Sequence, residues 1–240
     1  MSKIEWTEIT WNPATGCNKI SDGCKYCYAE RMATRLKSMG MPKYSNGFRL
    51  SLHEELIDEP MKWHKPCIVF VNSMSDLFHE KIPFDFIKQV FNVMNNTPHV
   101  YQILTKRSYV LKKFTNKLTW TDNIWMGVSV ESNDYLYRID DLMACDAKVK
   151  FLSLEPLLTD LHDLELEGID WVIVGGESGP GAREMQPDWV IDIYQKCKDN
   201  NIPFFFKQWG GVNKKKNGRI FNGQIYNEMP DKYYHIENTL

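Results

Sequence analysis

Three of the six cysteines in this 240-residue chain lie in one short stretch, TGCNKISDGCKYCYAE, at Cys17, Cys24 and Cys27. Clustered thiolates are ligands that soft metal centres prefer. A structural zinc ion normally takes four Cys or His ligands, and no second closely spaced cysteine pair follows. A disulfide, or thiols that are simply buried, are further alternatives. The spacing C-x6-C-x2-C also suits an iron–sulfur cluster, which is the main interpretation that we follow.

A 4Fe–4S cluster held by three thiolates leaves one of its irons without a protein ligand. That iron can take an exchangeable small molecule. S-adenosylmethionine can chelate it through its amino and carboxylate groups, and electron transfer to the sulfonium then cleaves a carbon–sulfur bond and makes a 5′-deoxyadenosyl radical. Three cysteines instead of four therefore predict a cluster that binds a cofactor.

The composition is that of an ordinary globular protein, with 43% hydrophobic and 25% charged residues. The sequence has no apolar run long enough for a membrane span and begins without the apolar stretch of a secretory signal. We therefore expect a cytoplasmic protein with reduced thiols. The formal net charge of −2 argues against a protein dedicated to coating nucleic acid. The basic stretch 213–219 is either a solvated loop or a phosphate-contacting patch.

Short apolar runs alternate with amphipathic stretches along the chain. The runs are residues 8–11, 67–73, 100–106, 124–130, 149–155, 171–177 and 203–209, and the amphipathic stretches are residues 28–39, 83–95, 108–115, 133–144 and 187–200. The apolar runs are rich in β-branched or aromatic residues and predict buried strands, and the stretches between them predict helices. This alternation predicts an α/β protein, namely a partial (β/α) TIM-like barrel of six to seven mainly parallel strands. A doubly wound open sheet is the alternative.

The chain beyond the last apolar run has a different pattern. We assign residues 1–209 to the barrel and residues 210–240 to a C-terminal extension packed on it. Asn222–Gly223 predicts a hairpin turn within this extension, because both residues tolerate the positive φ angles that such a turn needs.

Polar residues follow the predicted strands repeatedly. They are Ser73, Ser75 and Asp76; Thr105, Lys106 and Arg107; Ser129 and Glu131; Ser153 and Glu155; Glu177 and Ser178; and Lys207 and Gln208. In a parallel barrel the carboxyl ends of all strands open on one face, where active sites lie. We therefore expect one shared polar site at that face.

The segment Cys24-Lys25-Tyr26-Cys27 resembles the cysteine motif of the radical S-adenosylmethionine superfamily, whose usual form is C-x3-C-x-aromatic-C. The first gap here is longer, with six intervening residues instead of three. The order of strand, cysteine loop and helix matches as well. The resemblance implies a cluster on the three cysteines, bound S-adenosylmethionine and Tyr26 close to its adenine.

Nearly the whole chain also resembles an uncharacterised phage-type family found in phages, prophages and bacteria and considered radical-SAM-like. The matching stretches, all in the same order, include IEWTEITWNPATGCNKISDGCKYCYAERMA, FVNSMSDLFHEKIP, GVSVES, FLSLEPLL and DWVIVGGESGPGAR. This second resemblance supplies no substrate. A small molecule or a nucleic acid is the expected substrate, with an external electron donor as partner.

The superfamily resemblance implies roles for residues at the strand ends. Ser73, Met74, Ser75 and Asp76 correspond to the contact with the methionyl amino group, and Ser129 and Glu131 to surroundings of the cofactor. Lys106, Arg107, Glu155, Glu177, Arg183 and Lys207 are candidates for substrate binding. The alternative for the cations is pairing with the carboxylates nearby, because buried unpaired charge is costly. The rival hypothesis for the whole chain is a non-catalytic phage binding module stabilised by zinc or a cluster.

Overall fold

The structure is a computed structural model that describes residues 4–230, without the side chains of residues 214 and 215. Its centre is a parallel sheet of seven strands. These strands are β1 (Ile9–Trp11), β4 (Ile68–Val71), β5 (Val100–Thr105), β6 (Ile124–Ser129), β7 (Val149–Leu154), β8 (Trp171–Gly175) and β9 (Phe204–Gln208). Two further strands, β2 (Ala14–Thr15) and β3 (Ser51–Leu52), pair antiparallel in a small separate ribbon.

The order of strands in the sheet follows the order in the chain, from β1 through β4 to β9, with every neighbouring pair parallel. A doubly wound sheet would reverse its order at a switch point. The sheet instead curls into a half-barrel, which confirms the predicted partial barrel. All seven predicted apolar runs form these strands.

Helices follow most of the strands. They are α1 (Tyr28–Ser38), α2 (Phe84–Asn95), α3 (Ser108–Phe114), α4 (Tyr137–Met143), α5 (Pro187–Asp199) and the short α6 (Lys214–Asn217). Buried residues of α2, α3, α4 and α5 pack on the outer face of the sheet. The predicted helix over 133–144 begins instead as a 3-10 turn, Asn133–Tyr135, before α4. Within residues 4–230, no helix has both the length and the apolar character needed to cross a membrane.

One hydrophobic layer lies on each side of the sheet. Outward side chains such as Tyr101 and Val172 pack with helical residues such as Ile87 and Val190. The inner layer is mostly aromatic and fills the first half of the strands. It includes Trp6, Phe70, Trp125, Phe151, Trp171 and Phe205. The rings close the amino end of the half-barrel, so polar groups are left for its carboxyl end.

The chain after β9 folds back onto the sheet. The amide of Phe206 donates to the carbonyl of Tyr226 at 3.0 Å, and the indole of Trp171 donates to the carbonyl of Glu228 at 2.8 Å. Asn222 and Gly223 have φ angles of 47° and 79°, which confirms the predicted turn. The division of the chain at residue 209 stays a prediction, and residues 231–240 of the predicted extension lie outside the described residues.

Candidate functional site

The three clustered cysteines lie in a loop, residues 16–27, that leaves β2 at the carboxyl end of the sheet and leads into α1; we call it the cysteine loop. Gly16 anchors its start, with φ of 83° and an amide that donates to the carbonyl of Met74 at 2.9 Å. A Cβ at Gly16 would lie 2.2 Å from the carbonyl oxygen of Arg49. Only glycine permits this close approach, which fixes where Cys17 begins.

Glu131 at the end of β6 and Arg183 in the loop after β8 hold the second half of the cysteine loop. The hydroxyl of Ser21 donates to Glu131 Oε1 at 2.6 Å, and Arg183 Nη2 donates to the carbonyl of Asp22 at 2.8 Å. Gly23 lies so close to the Glu131 carboxylate that a Cβ there would meet Oε1 at 2.4 Å. The loop is therefore pressed against the ends of strands that lie far from it in the sequence.

Each of the three sulfurs has a polar neighbour of its own. Arg107 Nη1 donates to Cys17 Sγ at 3.4 Å, and Ser21 Oγ lies 3.4 Å from Cys24 Sγ. Cys27 directly precedes α1, and backbone amides of the first turn donate to its sulfur. The donors to Cys17 and Cys27 are of the kind that stabilises thiolates and tunes the potentials of iron–sulfur clusters. Ser21 gives its one hydroxyl hydrogen to Glu131, so its oxygen is the acceptor for the Cys24 thiol.

Burial nevertheless keeps two of these thiols protonated. Burial raises the pKa of Cys17 to about 12, and the charge of Asp76 acts in the same direction, whereas Arg107 opposes both. Burial likewise raises the pKa of Cys27. Metal binding deprotonates a coordinating thiol, so assembly of a centre here would release protons.

The donor set of the loop bears on which kind of metal centre it could hold. Within residues 4–230, no group of three or more His, Cys, Asp or Glu side chains could hold one metal ion. A 4Fe–4S cluster is wider, because each thiolate binds a different iron. Three thiol ligands in one loop, each with a polar neighbour, are the donor set that such a cluster takes, so the residues fit the group.

Arg107 connects the cysteine loop to the end of β5. Its side chain is almost fully buried and contacts Asp76 at 3.1 Å and Glu80 at 2.9 Å. It also donates to the carbonyl of Asn18 at 3.1 Å. The sequence predicts a substrate contact for Arg107, whereas the structure places its guanidinium against Cys17 and Asn18.

The buried carboxylate of Asp76 is explained by its hydrogen bonds within the protein. Besides Arg107, its carboxylate accepts from the hydroxyl of Thr105 at 2.7 Å and from the amides of Phe78 and Lys106 at 3.0 and 3.2 Å. These four donors occupy both carboxylate oxygens and tie the end of β4 to the end of β5. The contacts account for a buried carboxylate at this position without a ligand.

The neighbouring residues 73–75 are tied to the cysteine loop. Asn12 Oδ1 accepts from the Ser73 hydroxyl and the Met74 amide at 3.2 and 2.9 Å. The hydroxyl of Ser75 donates to the carbonyl of Gly16 at 2.6 Å, and that of Tyr28 donates to the carbonyl of Ser73. The carbonyls of Ser73 and Met74 each keep a second lone pair with which to accept from a cofactor ammonium.

Two lysines and two glutamates lie across the inner mouth of the barrel: Lys106, Glu131, Glu155 and Lys207, here called the mouth cluster. Lys106 Nζ lies 3.0 Å from Glu131 Oε1, and Lys207 Nζ lies 2.8 Å from both oxygens of Glu155. The pairing that the sequence offered as an alternative is therefore present. The side chains of Lys106, Glu155 and Lys207 are 20%, 20% and 16% exposed, so they remain open to a ligand.

Glu131 is the buried centre of this arrangement. Burial opposes its ionisation, but Lys106 and Arg138 outweigh that effect and hold the pKa of Glu131 below its ordinary 4.5. Arg138 Nη1 contacts Glu131 Oε2 at 2.7 Å. Ser129 lies opposite Ser153 in the register of β6 and β7, just below this pair. The structure thus brings the predicted residues of three strand ends together.

The ion pair between Arg183 and Glu177 lies next to the ring of Tyr26. Arg183 binds Glu177 in a bidentate manner, through Nη2 to Oε1 at 2.6 Å and Nε to Oε2 at 2.9 Å. Burial opposes ionisation of Glu177, and the hydrogen bonds from Arg183 overcome it, so the pKa of Glu177 is lowered. The guanidinium of Arg183 lies 5.8 Å from the centre of the Tyr26 ring. A Cβ at Gly181 would lie 2.9 Å from that ring.

Several contributing residues gave little signal in the sequence. Ser21 and Asn12 are short polar residues in loops, where such residues are common. Arg138 lies within a predicted helix and is almost fully buried, yet its partner is a strand-end carboxylate that no helical spacing identifies. Asn72 directly follows β4 with φ of 58°, a conformation that asparagine tolerates better than most residues.

Residues 1–230 match the profile of a family described as proteins of unknown function, DUF5131. The chain belongs to this family. No curated protein and no solved structure matches the chain at a significant level.

Proposed function

We propose that the chain is a radical S-adenosylmethionine enzyme, in which Cys17, Cys24 and Cys27 hold a 4Fe–4S cluster. The observation that carries the proposal is the position of three thiols, each with a polar neighbour, in one loop at the carboxyl end of a half-barrel. That end is where barrel enzymes carry their active sites. The resemblance of the cysteine motif to that superfamily supports the same function.

When bound, the cluster would supply an electron to S-adenosylmethionine, whose cleavage gives a radical that removes hydrogen from the substrate. The chain's own residues hold and orient the reactants. The N-terminal amides of α1 and the Arg107 guanidinium stabilise thiolate charge on Cys27 and Cys17. Ser21 and Arg183 fix the loop that carries Cys24, so the ligands are held in place before the metal arrives.

The mouth cluster is the expected place for the reacting groups. Phe205 of the buried aromatic layer lies two residues before Lys207 on the same face of β9, so this layer lies beneath the mouth cluster. Lys106 and Lys207 would bind an anionic group of the cofactor or substrate by exchanging one carboxylate partner for another. A small molecule or a nucleic acid is the proposed substrate. In the basic stretch, the Arg219 guanidinium donates to the carbonyl of Phe206 at 3.1 Å, which gives it a structural role.

Metal analysis after anaerobic reconstitution tests the proposal. The full chain should bind about four irons with matching sulfide, and dithionite with S-adenosylmethionine should release 5′-deoxyadenosine. Cys17→Ala, Cys24→Ala and Cys27→Ala should each lose the cluster and the product while circular dichroism stays that of a folded barrel.

Cys67→Ala is the matched control, because Cys67 is a partly buried free thiol outside the cysteine loop. It should retain iron and product formation. One zinc per chain with no iron would contradict the proposal. Loss of folding in the three loop variants but not in Cys67→Ala would favour the zinc-stabilised binding module instead.

A further inference from the structure

An open groove of about 1350 Å³ reaches the cysteine loop from outside the mouth cluster. Cys17 and Asn18 lie at its base. One wall is a stripe of α1 that ends at Lys37, the second is the segment 46–50, and the third is the turn 79–81. The groove exceeds the range of roughly 300–1,000 Å³ that is typical of small-molecule pockets, so its shape suits a segment of a macromolecule.

Each wall contributes one exposed cation. Lys37 lies on α1, Arg49 on the second wall and Lys81 on the third, and all three line the groove. Within the described part of the chain, none of these three side chains forms an ion pair. Uncompensated charge of one sign around a concave surface attracts a partner of the opposite sign.

The two carboxylates that line the same groove each pair with a cation, whereas its three exposed cations do not pair with a carboxylate of residues 4–230. Glu30 pairs with Lys19 at 2.9 Å, and Glu80 pairs with the buried Arg107 at 2.9 Å. The groove therefore presents a positive surface, although the whole chain carries a formal net charge of −2. This local reversal of sign marks a surface for an acidic partner.

We propose that the groove is the docking site of an acidic one-electron carrier protein, a partner that follows from the proposed function. The carrier would give up one electron and be oxidised by one electron, and the centre held by Cys17 would be reduced by one. Cys17 is the one cysteine of the loop among the residues that line this groove. An electron can enter there while the mouth cluster remains free for cofactor and substrate.

Binding to the metal-free full chain tests the docking site without any cluster. Oxidised flavodoxin, an acidic flavin protein, is titrated into the chain by calorimetry at low and at high salt. The groove variant is Lys37→Glu/Arg49→Glu/Lys81→Glu. Its matched control is Lys62→Glu/Lys65→Glu/Lys198→Glu, which makes the same charge change at exposed lysines near the amino ends of β4 and β9.

The wild type and the control should bind with a strong salt dependence, and the groove variant should bind at least about tenfold more weakly. Equal binding by the groove variant and the control, or no binding by the wild type, would overturn the docking site. Retention of the proteins on immobilised DNA gives a further outcome. If the groove variant lost DNA retention but still bound flavodoxin as the wild type does, the groove would be assigned to nucleic acid and the docking site for the carrier would be overturned.

A second measurement separates this inference from the proposed function. With dithionite as a small reductant, the reconstituted wild type, groove variant and control should all release 5′-deoxyadenosine equally. With reduced flavodoxin, the groove variant alone should lose at least about tenfold in rate. Failure of every protein with dithionite would overturn the proposed function and, with it, the groove as an electron entry. Equal flavodoxin rates would overturn the docking site alone.

Discussion

Arg107 donates a hydrogen bond to the sulfur of Cys17 over 3.4 Å, although the two residues lie 90 positions apart in the sequence. The guanidinium is almost fully buried and is held by Asp76 and Glu80. A cation fixed beside a sulfur favours the thiolate, the form that binds metal. This contact therefore couples the residue after β5 to the protonation of a thiol in the cysteine loop.

The reactivity of Cys17 in the metal-free protein follows from this environment. Because burial raises its pKa from 9.0 to about 12, iodoacetamide should alkylate Cys17 at pH 8 two to three orders of magnitude more slowly than an ordinary thiol. Arg107→Gln should slow the reaction further, since it removes the charge that opposes the shift. Mass spectrometry of the peptide that contains Cys17 gives the rate.

The urea-unfolded chain is the control for this reactivity, and its Cys17 should react as an ordinary thiol. Equal rates in the folded and unfolded chains would contradict the burial of this group.

The raised pKa of Cys17 also makes the free energy of unfolding depend on pH. The neutral thiol is favoured in the fold, so its contribution is present below pH 9 and is lost as the pH rises towards 12.

Glu131→Gln should destabilise the protein strongly. The substitution removes the carboxylate that pairs with Lys106 and with the buried Arg138, which would leave the Arg138 charge uncompensated. Loss of one partner of a buried pair costs about 3–5 kcal/mol in the free energy of unfolding, which urea denaturation at pH 7 measures. The exposed Glu165→Gln should change it by less than about 0.5 kcal/mol.

The same variant has a pH signature. The pKa of Glu131 lies below 4.5, so its stabilisation is present above pH 4.5 and is lost as the pH falls further. The difference in stability between wild type and Glu131→Gln should therefore shrink in acid. A difference that is small at pH 7, or that grows in acid, would be inconsistent with the ion pairs at this strand end.

Gly23→Ala should impair metal loading more than folding. The added Cβ would meet Glu131 Oε1 at 2.4 Å, and the buried carboxylate is held by its cations, so the loop must move. Iron bound per chain after reconstitution should fall at least about twofold, because ligand geometry must be held closely. Gly40→Ala, whose Cβ would meet nothing within 4 Å, should keep its iron, even though the φ of 72° at this position makes alanine less stable than glycine. Full iron in Gly23→Ala would refute the close packing.

The sheet could be predicted because its strands have a distinctive sequence pattern. Buried parallel strands such as β6 and β8 are continuous apolar runs with β-branched or aromatic residues, and turns separate them clearly. The mouth cluster also followed from the sequence, since the carboxyl ends of parallel strands meet on one face. Lys106, Glu131, Glu155 and Lys207 were expected there, and they lie there.

The contacts across the barrel could not be predicted. Ser21 bonds to Glu131 across 110 positions, and a single chain carries no signal for such pairs. The ribbon of β2 and β3 has two residues in each strand, which is too short for an alternating pattern. The sequence predicted a substrate contact for Arg107, and the observed contacts are different. Its position at a strand end is visible in the sequence, but the direction of its side chain is set by Asp76 and Glu80, which lie far from it in the chain.

Electron paramagnetic resonance of the reconstituted, dithionite-reduced protein, recorded with and without S-adenosylmethionine, tests the central claim most directly. The proposed cluster on Cys17, Cys24 and Cys27 would have one iron without a protein ligand. Its signal should therefore change when the cofactor is added, and Cys67→Ala should behave as the wild type does. A signal unaffected by S-adenosylmethionine, or the absence of any reduced-cluster signal in a protein loaded with iron and sulfide, would contradict the account.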